Sequence, residues 1–113
     1  MNIGDIKAAG TTLRLAEGAL EKEVRITPQQ LVFLDFVGDS SGSVILSDLT
    51  EHLNCTPAVT TGLADRLEKR GYIVRIGDKG GDRRRTYLAI TELGQDVLWR
   101  ASVALERITT NGR

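Results

Sequence analysis

At 113 residues, with 41% hydrophobic and 27% charged residues, the chain has the length and composition of one independently folding globular domain rather than of a disordered polymer. Its unbroken apolar runs are only a few residues long and Asp5 and Lys7 interrupt the start, which excludes a membrane span or signal peptide and predicts a cytoplasmic protein. Net charge is zero, yet segment 65–87 holds eight basic residues against four acidic ones, a local +4 able to attract a phosphate backbone while the remaining surface stays soluble.

Ile6, Ala9, Leu13, Ala16, Leu20 and Val24 recur three or four residues apart, predicting an amphipathic helix over 5–24 that Gly10 and Gly18 weaken. A second helix opens at Thr27-Pro28, where a hydroxyl can cap free amides and proline loses no hydrogen bond, and carries Leu31, Phe33, Leu34, Phe36 and Val37 inward. Residues 38–43 have turn composition, and Val44-Ile45-Leu46 suffices only for a brief edge strand. Ser47 is the expected cap of a third helix with Leu49 and Leu53 on one face; Asn54-Cys55 breaks it. Thr56-Pro57 starts a fourth helix running to Arg70, with Val59, Leu63 and Leu67 as its buried stripe and Gly71 as a left-handed stop. The β-type runs 72–76 and 86–90 flank a glycine-bearing basic loop at 77–85 and read as a hairpin. Thr91 caps a last helix to about Thr109, with Leu93, Val97, Ala101, Ala104 and Ile108 on one stripe and Leu98 and Leu105 widening it.

The expected fold is therefore mainly α with a small β-hairpin: a single unit over 1–113, made of an N-terminal helix (5–24), a lobe over 27–90 and a C-terminal helix (91–109). Two helices joined by a short turn and followed directly by a hairpin with a cationic tip form the layout in which one helix enters a DNA major groove and the wing touches the backbone. Along Thr56-Pro57-Ala58-Val59-Thr60-Thr61-Gly62-Leu63-Ala64-Asp65-Arg66-Leu67-Glu68-Lys69-Arg70-Gly71-Tyr72, and again from Asp82-Arg83-Arg84 to Thr91 and Gly94, the sequence resembles the MarR family of bacterial regulators. The likeness spans roughly residues 25–100, and Leu31, Leu46, Leu49 and Leu53 fall where that family's second and third helices carry apolar residues.

The resemblance implies a winged helix-turn-helix domain with flanking dimerisation helices, a sequence-specific transcriptional regulator acting as a homodimer on double-stranded DNA, and, by occupancy of promoter DNA, a repressor. The candidate DNA-binding residues are Thr56, Ala58, Thr60, Thr61, Arg66, Lys69, Arg75, Arg83, Arg84 and Arg85. On a helix capped at Thr56, positions 58, 61, 62 and 65 lie opposite the Val59, Leu63 and Leu67 stripe, with Thr60 at its margin. The first-turn amides and the Thr56 hydroxyl suit a phosphate; Thr61 suits a base edge, and the Ala58 methyl suits thymine. Lys69, Arg70 and Arg75 are candidate phosphate contacts, with an i,i+4 Asp65–Lys69 pair as the competing reading. The resemblance places Arg84 in the flanking minor groove, where a narrow groove concentrates negative potential, and Asp82 is expected to orient a neighbouring arginine.

Several positions depart from the family pattern. Gly62 replaces a long polar side chain, Val59-Thr60 inverts the usual polar-then-apolar order, and the wing between Asp78 and Asp82 is one residue longer. Only 22 residues follow Thr91, where typical members carry a further dimerisation helix, so a smaller interface is expected, with Trp99 as a candidate anchor. A small-molecule effector in the dimer crevice, which many members bind, has no supporting motif. Cys55 reads as a buried small hydrophobe rather than a redox sensor and His52 as a surface residue; with only these two strong zinc ligands, neither metal nor cofactor is expected. No nucleophile, base and orienting group assemble into a catalytic motif, so the chain is not read as an enzyme. The alternatives are a winged-helix protein-interaction module and a plasmid or phage replication or partition protein that binds DNA.

Overall fold

The computed structural model describes residue 3 and residues 13–77 and 86–111. The predicted start of the first helix and the hairpin tip, including Lys79, Arg83, Arg84 and Arg85, lie outside these residues. The elements run α1 (Leu13–Glu23), α2 (Pro28–Asp39), β1 (Val44–Ile45), α3 (Leu46–Leu53), α4 (Pro57–Lys69), β2 (Ile73–Gly77), β3 (Thr86–Ile90) and α5 (Glu92–Asn111).

Helix α2 begins where Thr27-Pro28 places it. The Thr27 hydroxyl accepts the Gln30 N–H at 3.1 Å, and the Gln30 side-chain oxygen accepts the Thr27 N–H at 2.9 Å. Each residue thereby satisfies a donor that the first helical turn leaves unpaired. Leu31, Phe33, Leu34 and Val37 are buried, as expected, but so are Gln30 and Val32. The wider burial follows from position: α2 packs against α1, α3, α4, α5 and β3, so nearly every side of it faces another element.

The expected hairpin is part of a three-stranded antiparallel sheet in the order β1-β3-β2. The brief strand β1 lies at one edge through Val44↔Leu88 and Ile45↔Tyr87, and β2 at the other through Ile73↔Ile90 to Gly77↔Thr86. Leu88, central in the middle strand, is fully buried.

Helix α3 starts two residues earlier than expected. Ser47 does not cap it; Leu46 is its first residue, and the Asp48 carboxylate accepts the Ile45 N–H at 3.0 Å. An acid three residues beyond the cap position satisfies an otherwise orphaned donor, whereas Ser47 already lies within the first turn. Asn54 then ends the helix in the left-handed region at φ 52°, which its short polar side chain tolerates.

Helices α1 and α5 meet along Ala16, Leu20 and Val24 on one side and Val97, Ala101, Ala104 and Leu105 on the other. The small alanines allow close approach, and the larger residues fill the seam. Leu93, expected on the buried stripe of α5, is 52% exposed; the inward place in that first turn is taken by Gly94. Arginines secure the end of α1: Arg100 donates to the Glu23 carbonyl at 2.9 Å and Arg70 to the Arg25 carbonyl at 2.6 Å. Guanidinium groups there satisfy carbonyls left unpaired beyond the last helical turn.

Candidate nucleic-acid interface

Helix α4 is fixed at both ends by local sequence. The Thr56 hydroxyl accepts the Val59 N–H at 3.2 Å, leaving its own proton free to donate outward, and Pro57 occupies the first helical position. At the other end Gly71, at φ +81°, lets Tyr72 N–H reach the Leu67 carbonyl and Gly71 N–H the Glu68 carbonyl, both at 2.9 Å. This paired closure is the Schellman arrangement, and it requires the left-handed backbone that glycine adopts without penalty. The same turn docks α5. Thr91 donates its backbone N–H to the Tyr72 carbonyl at 3.0 Å and its hydroxyl to the Gly71 carbonyl at 2.6 Å, while that hydroxyl accepts the Gly94 N–H at 3.0 Å.

The buried face of α4 consists of Thr60, Leu63, Ala64 and Leu67. It is rotated from the expected Val59, Leu63 and Leu67 stripe: Val59 is 42% exposed and Thr60 has no exposure. Thr60 is therefore corrected from a candidate DNA contact to a core residue. Its hydroxyl donates to the Thr56 carbonyl at 3.1 Å, accepts from Thr50 at 2.8 Å, and lies 3.2 Å from the Cys55 thiol. With its polar atom satisfied, a threonine can be buried much as a valine would be. Cys55, half-buried in the turn, thus belongs to a small polar network linking α3 to α4.

The opposite face of α4 presents Ala58, Thr61, Asp65, Arg66 and Lys69, all exposed, around half-buried Gly62. Arg66 and Lys69 make no ion pair among the described residues. The anticipated Asp65–Lys69 pair gives way to another. Arg75, on β2, reaches Asp65 through one guanidinium nitrogen and Glu68 through another, each at 2.8 Å. These partners, the Asp65 hydrogen bond foremost, raise the Arg75 pKa further above its ordinary value, against a smaller desolvation effect. Arg70 is likewise engaged, with its guanidinium on the Val24 and Arg25 carbonyls just beyond α1 and 4.8 Å above the Tyr72 ring. A methyl group at Gly62 would meet no atom within 4 Å. Gly62→Ala is therefore expected to raise stability by about 1 kcal/mol, through helix propensity alone; denaturant titration measures this.

A family model for the MarR family matches residues 26–85, more than half of the chain. The chain belongs to the MarR family. MarR-family and related solved structures share its fold. S. aureus MepR in complex with DNA is 20% identical, with 91% of this chain covering 74% of that one at a TM-score of 0.78. YusO from Bacillus subtilis is 26% identical, with coverage of 94% and 74% and a TM-score of 0.77. CouR from Rhodococcus jostii RHA1, bound to p-coumaroyl-CoA, is 25% identical, with coverage of 88% and 68% and a TM-score of 0.77. No curated protein sequence matches the chain. In MarR-family terms, α3 and α4 are the helix pair of a winged helix-turn-helix domain, and β2 and β3 carry the wing.

Of the site residues read from the sequence, Thr56, Ala58, Thr61, Arg66 and Lys69 are exposed together on or beside α4. Thr60 points inward, Arg75 is bound by two carboxylates, and Arg83, Arg84 and Arg85 lie outside the described residues. His52, expected at the surface, is half-buried, its ring stacked on Phe36 with centroids 4.1 Å apart. Sequence reasoning overlooked Asp65 and Glu68 as partners of Arg75. The signal was available in the two-residue period of β2, which puts Arg75 on the same side as buried Ile73. Among the described residues no group of three or more His, Cys, Asp or Glu is placed to hold a metal ion, and no helix is long and apolar enough to cross a membrane.

Proposed function

We propose that this protein is a cytoplasmic, homodimeric regulator that binds double-stranded DNA sequence-specifically and represses transcription by occupying promoter DNA. The observation that carries this reading is the outward face of α4. A helix held rigidly by its cap, its glycine stop and its buried side presents small and hydroxyl-bearing residues flanked by the cations Arg66 and Lys69. Ala58, Thr61 and Gly62 permit close approach to base edges, and the Thr56 hydroxyl and first-turn amides suit a phosphate. The family resemblance assigns Arg84, in the basic run Arg83-Arg84-Arg85, to the flanking minor groove. A family relationship to regulators, including a fold shared with the DNA-bound MepR complex, supports the assignment.

Exposed apolar side chains outside the lobe support the dimer. Leu15 on α1 and Trp99 on α5 are 66% and 69% exposed. Beside Leu15 the two helices form a groove lined by Ala19, Ala104 and Ile108. An aromatic anchor beside a shallow apolar groove is the composition of an interface core.

The test is binding of the purified protein to its own upstream DNA and to a scrambled duplex, titrated with salt. Tighter binding of the native duplex and a steep fall in affinity with salt are expected. Arg84→Ala should weaken native-duplex binding by about tenfold or more, in the range of losing one specific groove contact. Absence of binding to either duplex at low salt would overturn the regulator reading in favour of a winged helix that binds protein.

A further inference from the structure

We infer that Arg75 masks two carboxylates of the recognition helix rather than contacting a phosphate; this rests on the DNA-binding reading above. The starting point is a charge conflict on α4. Asp65 lies on the face that carries Ala58, Thr61 and Gly62, and its side chain is 61% exposed. Glu68, 39% exposed, sits one position further round. Two carboxylates on the surface turned towards a polyanion oppose its approach, and each phosphate nearby increases the cost of leaving them uncompensated.

The strand next to the helix supplies the remedy. Ile73 and Arg75 share the side of β2 that faces α4, since side chains two residues apart on a strand point the same way. Ile73 is buried against the core, and one step along the strand the core gives way to the helix surface, where Arg75 spans both carboxylates. Its guanidinium is only 27% exposed and uses separate nitrogens for the two acids. A planar fork can hold two carboxylates at once; an ammonium, a compact point charge, cannot do so with the same geometry.

A consequence follows for recognition. The positive charge of Arg75 is used within the protein, so among the described residues the cations left on this surface are Arg66 and Lys69.

The experiment compares duplex affinity for wild type, Arg75→Gln, the double variant Asp65→Asn/Glu68→Gln, and the triple variant carrying all three, with thermal melting of each. Arg75→Gln, which bares both carboxylates, is expected to weaken binding by at least tenfold. The triple variant, in which nothing remains to be masked, should recover to within about threefold of wild type, and the double variant should bind at least as tightly as wild type. Arg75→Lys should recover less than the triple variant does. A phosphate-contacting Arg75 gives a different pattern: the triple variant stays as weak as Arg75→Gln, and the salt slope falls by about one in both. That pattern would overturn the inference. Should Arg75→Gln prove unfolded by melting, the folded triple variant decides alone, since recovery supports masking and a tenfold loss refutes it. Wild-type protein that binds no duplex refutes the DNA-binding reading itself, a result distinct from binding without rescue.

Discussion

Gly94→Ala is expected to destabilise the protein by about 3 kcal/mol, at the upper end of the usual cost of overpacking, and to lower the melting temperature by roughly 10 °C for a domain of this size. A Cβ at this position would overlap the Tyr72 carbonyl oxygen and lie 2.7 Å from the Ile90 side chain. The first of these is backbone, and it already accepts the Thr91 N–H. Relief therefore requires the first turn of α5 to withdraw from the chain reversal after α4. That movement would loosen the Thr91 hydroxyl bonds to Gly71 and Gly94 as well. The control is Gly18→Ala in α1, where a Cβ meets nothing within 4 Å and helix propensity should add about 0.5–1 kcal/mol of stability. Chemical denaturation of both variants checks the pair; a Gly94→Ala protein as stable as wild type would contradict the packing described for this turn.

The second large effect concerns Thr60 and its neighbour. Thr60→Ala is expected to cost about 2–3 kcal/mol, combining a cavity where a branched side chain was buried with the loss of a satisfied hydroxyl. Thr60→Val, which keeps the shape, should cost about half as much, because the Cys55 thiol loses its hydroxyl partner while the Thr50 hydroxyl keeps the Leu46 carbonyl. Val59→Thr, by contrast, should change stability by no more than about 0.5 kcal/mol, as befits an exposed position. The contrast tests which face of α4 is buried, since the apolar-stripe reading gives the opposite ranking. Equilibrium unfolding reads the stability, and retention of helix content by circular dichroism separates a weakened fold from a rearranged one.

The sequence by itself determined the element order, the capped starts at Thr27, Thr56 and Thr91, the glycine stop at 71, and with them the MarR-family fold. These are local features: a hydroxyl before a proline, a glycine after the last apolar turn and apolar periodicity act over a few residues, so the residues carry them directly. The start of α3 was misplaced by two residues because Ser47 suits a cap, and only the backbone shows that Asp48 satisfies the free Ile45 N–H from the third helical position. Tertiary structure alone decided what the side chains of α4 do. Thr60 is buried and Val59 exposed because Thr50 and Cys55, from the preceding helix and turn, supply the polar partners that let a threonine enter the core. Arg75 is drawn from the phosphate-facing set by Asp65 and Glu68, seven to ten residues away in the chain and adjacent only once β2 lies beside α4. A sequence displays the charge and hydrophobicity of each residue, but whether a polar group is satisfied inside the fold or left to meet a ligand depends on partners that only the packed chain brings within reach.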